Sequence, residues 1–150
     1  MLKQQIQDDL KKAMFAKDEN KLSTIRMLKS AIQYYEIQKG GAGYEATDED
    51  VIDVIGKEVK KRKESIELYE KGGRMESAEK EREEAKILES YLPQQLSENE
   101  VIQLVDEAIS QAGATSMQDM GKVMGILMPS TKGKADSTLV SNLVRQKLVS

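Results

Sequence analysis

Near its C-terminal end the chain reads GKVMGILMPSTKGKAD, Gly121 to Asp136. The chemistry this spacing offers is the holding of an anion. Ser130-Thr131-Lys132-Gly133-Lys134 reads as a loop leading to a helix whose N-cap is Asp136. Free N–H groups at a helix start, a glycine that admits close backbone approach and two lysines favour a phosphate there. The phosphate loop of nucleotide hydrolases is a different pattern, a glycine, four residues and then Gly-Lys-Ser/Thr. Met128 stands where its first glycine belongs, Ala135 where its hydroxyl belongs, and the segment follows a helix rather than a strand. That motif fails, and the competing reading of Lys132 and Lys134 is an ordinary lysine-bearing surface loop.

Other chemistry is scarce. The chain has no cysteine and no histidine, so disulfides, thiolate zinc sites, a cysteine nucleophile and the usual general base are excluded. Glu79, Glu83 and Glu84 resemble a carboxylate metal set, but the Glu-x-x-His partners of di-iron bundles cannot exist here. Interleaved Lys80, Arg82 and Lys86 point to ion pairing instead, so neither metal nor cofactor is expected. No catalytic residue is assigned. The nucleophiles in the lysine loop are Ser130 and Thr131, near Lys132.

A second basic group, Lys57, Lys60, Lys61, Arg62 and Lys63, lies in a helical segment with Glu58, Glu64 and Glu67. It reads either as a solvated charged face or as a secondary phosphate-contacting strip made of Lys60, Lys61, Arg62 and Lys63. Charge is unevenly spread. The net charge is −3, yet Met120 to Ser150 carries +4, from Lys122, Lys132, Lys134, Arg145 and Lys147 against Asp136, and the chain before it −7. A basic end on an acidic protein marks an anionic partner or plain surface lysines.

The elements that position these residues all have the helical period. Leu2, Ile6, Leu10, Ala13 and Met14 form one stripe, and Leu22, Ile25, Leu28, Ile32 and Tyr35 a second. Asp18 or Asn20 caps the second helix, and Gly40, Gly41 and Gly43 end it. Thr47 to Asp50 resembles a capping box for a third helix bearing Val51, Ile55, Val59 and Ile66. A charge-rich fourth helix ends at Pro93. Ser97 to Glu100 opens a fifth, Ser116 to Asp119 a sixth with Met117, Met120, Met124 and Leu127 inward, and Asp136 a seventh. Pro129 is expected to end the sixth helix, and Gly121 and Gly125, one turn apart, to let another helix pack closely. The reading is all-α: an N-terminal bundle of about four long helices, residues 1–92, then a compact three-helix domain, residues 97–150.

The N-terminal MLKQQIQDDLKK lacks an apolar signal core, and the longest apolar run, Val123 to Pro129, is too short to span a bilayer. A cytoplasmic protein is expected, with no membrane and no DNA partner.

Lys60 to Glu100, KKRKESIELYEKGGRMESAEKEREEAKILESYLPQQLSENE, resembles the middle of the YqeY family, with its basic helix, Gly-Arg, Glu-rich helix and YLP-x-x-LS. Asp119 to Val144 resembles that family's C-terminal end, and RMLKSAI, Arg26 to Ile32, its N-terminal helices. The C-terminal end also looks like the tail domain of GatB, a subunit of the glutamine-dependent tRNA amidotransferase. Gly121, Gly125, Lys132, Gly133, Lys134, Ala135 and Asp136 match that tail position by position. The resemblance implies a tRNA partner, held through its backbone phosphates by Lys132 and Lys134, with Lys122, Arg145 and Lys147 supplying field and Gly133 allowing backbone approach. It also implies association with the amidotransferase or other translation-related proteins. YqeY-like proteins are commonly labelled carbon–nitrogen ligases with glutamine as amido donor, but the catalytic body of GatB has no counterpart here. Two alternatives stand beside a non-catalytic tRNA-interacting protein: an amidase-like or amidotransferase enzyme, and a helical protein–protein adaptor.

Overall fold

Asp18 and Thr47 start the two longest helices in the same way, by accepting the N–H three residues on. In the computed structural model, which describes residues 1–149, these helices are α2 (Glu19–Gly40) and α3 (Asp48–Lys71), preceded by α1 (Leu2–Ala16) and followed by α4 (Met75–Glu89). Thr47 and Asp50 complete the reciprocal capping box that their spacing predicts. The chain then continues through α5 (Glu98–Ala112), a 3-10 turn (Met117–Asp119), α6 (Met120–Thr131) and α7 (Ser137–Val149). No strand occurs among the described residues; the fold is all-α.

The chain divides into two compact units, Met1–Leu92 and Pro93–Ser150. In the first, the i, i+3, i+4 stripes of α1, α2 and α3 converge on Ile6, Ile25, Leu28, Ile32, Val51, Ile55 and Val59, with Leu88 and Tyr91 joining from the α4 end. Burying each such Ile, Leu or Val contributes about 1.5–3 kcal/mol over leaving it exposed. Tyr91 donates its hydroxyl to Asp9 at 2.7 Å, and burial pushes that phenol above its ordinary pKa. The second unit closes on Val101, Val105, Val123, Leu127, Val140 and Val144 from α5, α6 and α7.

Several local expectations need correction. Met14 and Met117 are about half exposed, not inward; Ala13 takes the buried place at the end of α1. Ser97 accepts from Glu100 N–H at 3.2 Å, the serine half of the expected box. Pro129 does not end α6, which runs on to Thr131. A proline's fixed φ is compatible with a helix, so α6 continues past it, at the cost of one backbone donor and of a ring that crowds the Gly125 carbonyl. Gly121 and Gly125 are exposed, and a Cβ added to either would meet nothing within 4 Å. The close helix approach expected of them is not made.

Candidate nucleic-acid interface

The Lys132–Lys134 loop is a tight turn built on Thr131. The buried Thr131 hydroxyl donates to Leu127 O at 3.1 Å, anchoring the end of α6. Its carbonyl accepts from Lys134 N–H at 2.9 Å and Ala135 N–H at 3.0 Å, while Lys132 N–H donates to Met128 O at 3.0 Å. Gly133 has φ 75, the left-handed region that a side chain disfavours. Asp136 follows as the N-cap of α7: its carbonyl accepts from Val140 N–H at 3.0 Å and its carboxylate from Thr138 N–H at 3.4 Å.

This geometry revises how an anion would be held. The N–H groups of residues 132, 134 and 135 are already donated inside the turn, and a carboxylate sits at the start of α7. A backbone cradle is therefore not what the loop offers. It offers the side chains of Lys132 and Lys134, both exposed, on a turn whose backbone is fixed by its own hydrogen bonds. Thr131, with its hydroxyl buried and bonded, is not placed as a nucleophile; Ser130 is exposed at the end of α6.

Two residues that a pattern search does not single out complete the loop. Gln95 donates its side-chain amide to Gly133 O at 2.8 Å and to its near neighbour Pro93 O at 2.9 Å. Leu96 N–H donates to Lys134 O at 2.9 Å. Residues 93–96, between the two domains expected from the sequence, are thus structural partners of the loop.

The other basic residues expected nearby are not gathered into one patch. Lys147 pairs with Asp106 at 3.3 Å, and Arg145 donates to Asn142 Oδ1 at 3.3 Å. Two residues apart on a helix, they diverge by about 200°, so they face different ways. Lys122 is exposed near Asp119, whose carboxylate is held below its usual pKa by the Thr115 and Ser116 N–H groups.

The strip on α3 has a different fate. Arg62 is 7% exposed and pairs with Glu81 and Glu84 of α4 at 3.3 Å each, its other terminal nitrogen resting 3.5 Å from Met27 Sδ. It is unavailable to phosphate, because it follows Ile55 and Val59 on the buried side of the helix. Lys61 pairs with Glu58 at 3.5 Å and Lys63 with Glu89 at 3.4 Å, while Lys60 is exposed. The glutamates of α4 are likewise engaged: Glu79 with Arg82, Glu83 with Asn20, and Glu84 with Arg62.

One polar cluster was not foreseen. The Asp50 carboxylate, 6% exposed, accepts from Tyr35 Oη at 2.9 Å, Lys39 Nζ at 3.0 Å, Tyr44 Oη at 2.5 Å and Thr47 N–H at 3.1 Å. Tyr44 and the Thr47 amide hold its pKa far below the usual carboxylate range. The bond to Asp50 pushes the Lys39 ammonium up, and its nitrogen lies 5.5 and 5.4 Å from the Tyr35 and Tyr44 ring centres. Every partner is internal, and the cluster pins the loop after α2 to the start of α3.

The fold and the loop define a class: an all-helical, two-unit chain with an exposed lysine turn braced by a segment 38 residues earlier. The chain belongs to the family described as Yqey-like protein, whose model matches residues 3–148. It is similar to "Altered inheritance of mitochondria protein 41, mitochondrial" of Saccharomyces cerevisiae, 32% identical over 93% of this chain and 78% of the relative. The protein of the same name from Pyrenophora tritici-repentis is 31% identical over 94% of this chain and 77% of its own length. That of Vanderwaltozyma polyspora is 27% identical over 95% and 79%. These relatives overturn the cytoplasmic expectation, since each is named as a mitochondrial protein. Among the described residues no helix is long and apolar enough to cross a membrane.

Proposed function

We propose that this chain binds the sugar–phosphate backbone of tRNA through the Lys132–Lys134 loop and carries out no chemistry on it. The observation that supports this reading is the loop itself. Two exposed lysines flank a glycine at φ 75, in a turn whose conformation is set before any ligand arrives. Lysine is a point charge suited to phosphate oxygens and reads no base, so the partner would be recognised by charge and shape. The likeness of Gly121 to Asp136 to the amidotransferase tail adds the choice of tRNA over other polyanions. Association with an amidotransferase belongs to the same proposal.

A second reading, a protein adaptor working through residues 1–92, draws on the exposure of Phe15 (89%), Leu68 (70%) and Tyr34 (67%). A filter-binding titration with unfractionated tRNA, with a DNA duplex of equal charge as competitor, separates the two. Salt-sensitive tRNA binding that the duplex competes poorly is expected. No tRNA retention at low salt, with capture of a protein by the immobilised chain, would favour the adaptor.

A further inference from the structure

Gln95 and Leu96 lie 38 residues before the carbonyls they engage, Gly133 O at 2.8 Å and Lys134 O at 2.9 Å. The Gln95 amide also donates to Pro93 O at 2.9 Å, so one NH2 group ties the start of the segment to the crown of the turn. We infer that residues 93–96 are a strap that presents Lys132 and Lys134 to phosphate, with Gln95 its positioning residue; this rests on the RNA-backbone reading above.

The physical reason lies in the carbonyls. The loop's own N–H groups are turned inward to Met128 O and Thr131 O. A tight turn with its donors inside leaves carbonyl oxygens outside, and an outward carbonyl repels a phosphate. The strap engages two of them, at the glycine between the lysines and at the second lysine itself. It therefore removes two repelling dipoles and fixes the backbone from which both side chains extend. Gln95 is exposed and belongs to neither apolar core. Its conspicuous contribution is these two bonds, which is what a positioning side chain rather than a packing one would make.

The test is a double-mutant cycle with unfractionated tRNA, using Gln95→Met, which keeps length and loses both donor hydrogens, and Lys132→Ala/Lys134→Ala. In the wild-type background Gln95→Met should weaken binding about three- to tenfold, the scale of one or two neutral hydrogen bonds. In the lysine-less background it should have no further effect, because nothing is left to position. The backbone amide resonances at positions 133 and 134 should move in both backgrounds. Equal weakening in both would overturn the inference, since it would mean a general structural role. No weakening in the wild-type background, with binding still weakened in the lysine variant, would overturn the strap and leave the RNA reading intact. If the lysine variant binds as wild type does, the RNA reading falls, and this inference with it. Should Gln95→Met fail to fold, Gln95→Asn, which keeps the amide but shortens its reach by one methylene, carries the same cycle.

Discussion

The α3 strip and the α6–α7 loop are both short runs of basic residues, yet they have opposite fates. On α3, Arg62 is sandwiched by Glu81 and Glu84, and Lys61 and Lys63 pair with Glu58 and Glu89. In the loop, Lys132 and Lys134 are exposed, and the turn's backbone is held by its own bonds and by the strap. The difference lies in what surrounds the lysines rather than in the lysines. Helix α4 brings carboxylates within 4 Å of α3, whereas residues 93–96 bring the loop an amide side chain and a backbone N–H. What surrounds a basic run decides whether it faces solvent: Arg62 is buried among carboxylates, whereas Lys132 and Lys134 are exposed.

The largest effect that sharpens this comparison is expected at Arg62. Arg62→Ala leaves Glu81 and Glu84 facing each other without their shared cation, Glu84 being 8% exposed. Breaking a buried pair in this way costs about 3–5 kcal/mol, readable as a fall in the urea midpoint. A midpoint unchanged by the substitution would mean that Arg62 is a surface residue and the strip is open to ligands after all.

Next comes Gly133. At φ 75 an added Cβ is strained by about 1–2 kcal/mol, so Gly133→Ala should lower the stability of the second unit by that amount. It should also weaken tRNA binding, since the turn sets the lysines. A fully stable variant would show that the turn relaxes easily and is not preset.

A smaller effect concerns acid. Asp50 has a pKa lowered by folding, so the stability it contributes is complete above the ordinary carboxylate pKa of about 4 and is lost as pH falls below it. Urea midpoints of the wild type should therefore drop steeply below about pH 4. Asp50→Asn should start lower at pH 7 and lose less on acidification. Parallel curves for the two proteins would mean that the cluster does not couple to folding.

How much of this was legible beforehand can be judged from particular residues. The helical period of Ile6, Ile25, Val51 and Val140 was enough for an all-α assignment, because a buried stripe must recur every three or four residues whatever it packs against. Asp18 and Thr47 were readable as caps because their bonds run three residues along the chain. Arg62 carries a local signal of burial: it lies three residues after Val59 and seven after Ile55, on the buried stripe. Gln95 left none, since a side chain reaching a carbonyl 38 residues away has no local pattern. Nor did Tyr35, Lys39 and Tyr44 announce Asp50, whose capping role was visible while its other three partners were not. Gly121 and Gly125 showed the right spacing for a close helix contact, but spacing permits such a contact without providing the second helix.

The most direct measurement compares the two basic regions in one experiment, the slope of log affinity for tRNA against log salt. Neutralising phosphates releases condensed counterions, so each lost contact flattens the slope by somewhat under one unit. Lys132→Ala/Lys134→Ala should flatten it by about two contacts and weaken binding of all tRNAs alike, with folding stability changed by no more than about 0.5 kcal/mol per residue. Lys60→Ala/Lys61→Ala on α3 should leave slope and affinity near wild type. A loop variant that keeps the wild-type slope, or an α3 variant that loses it, would contradict the account.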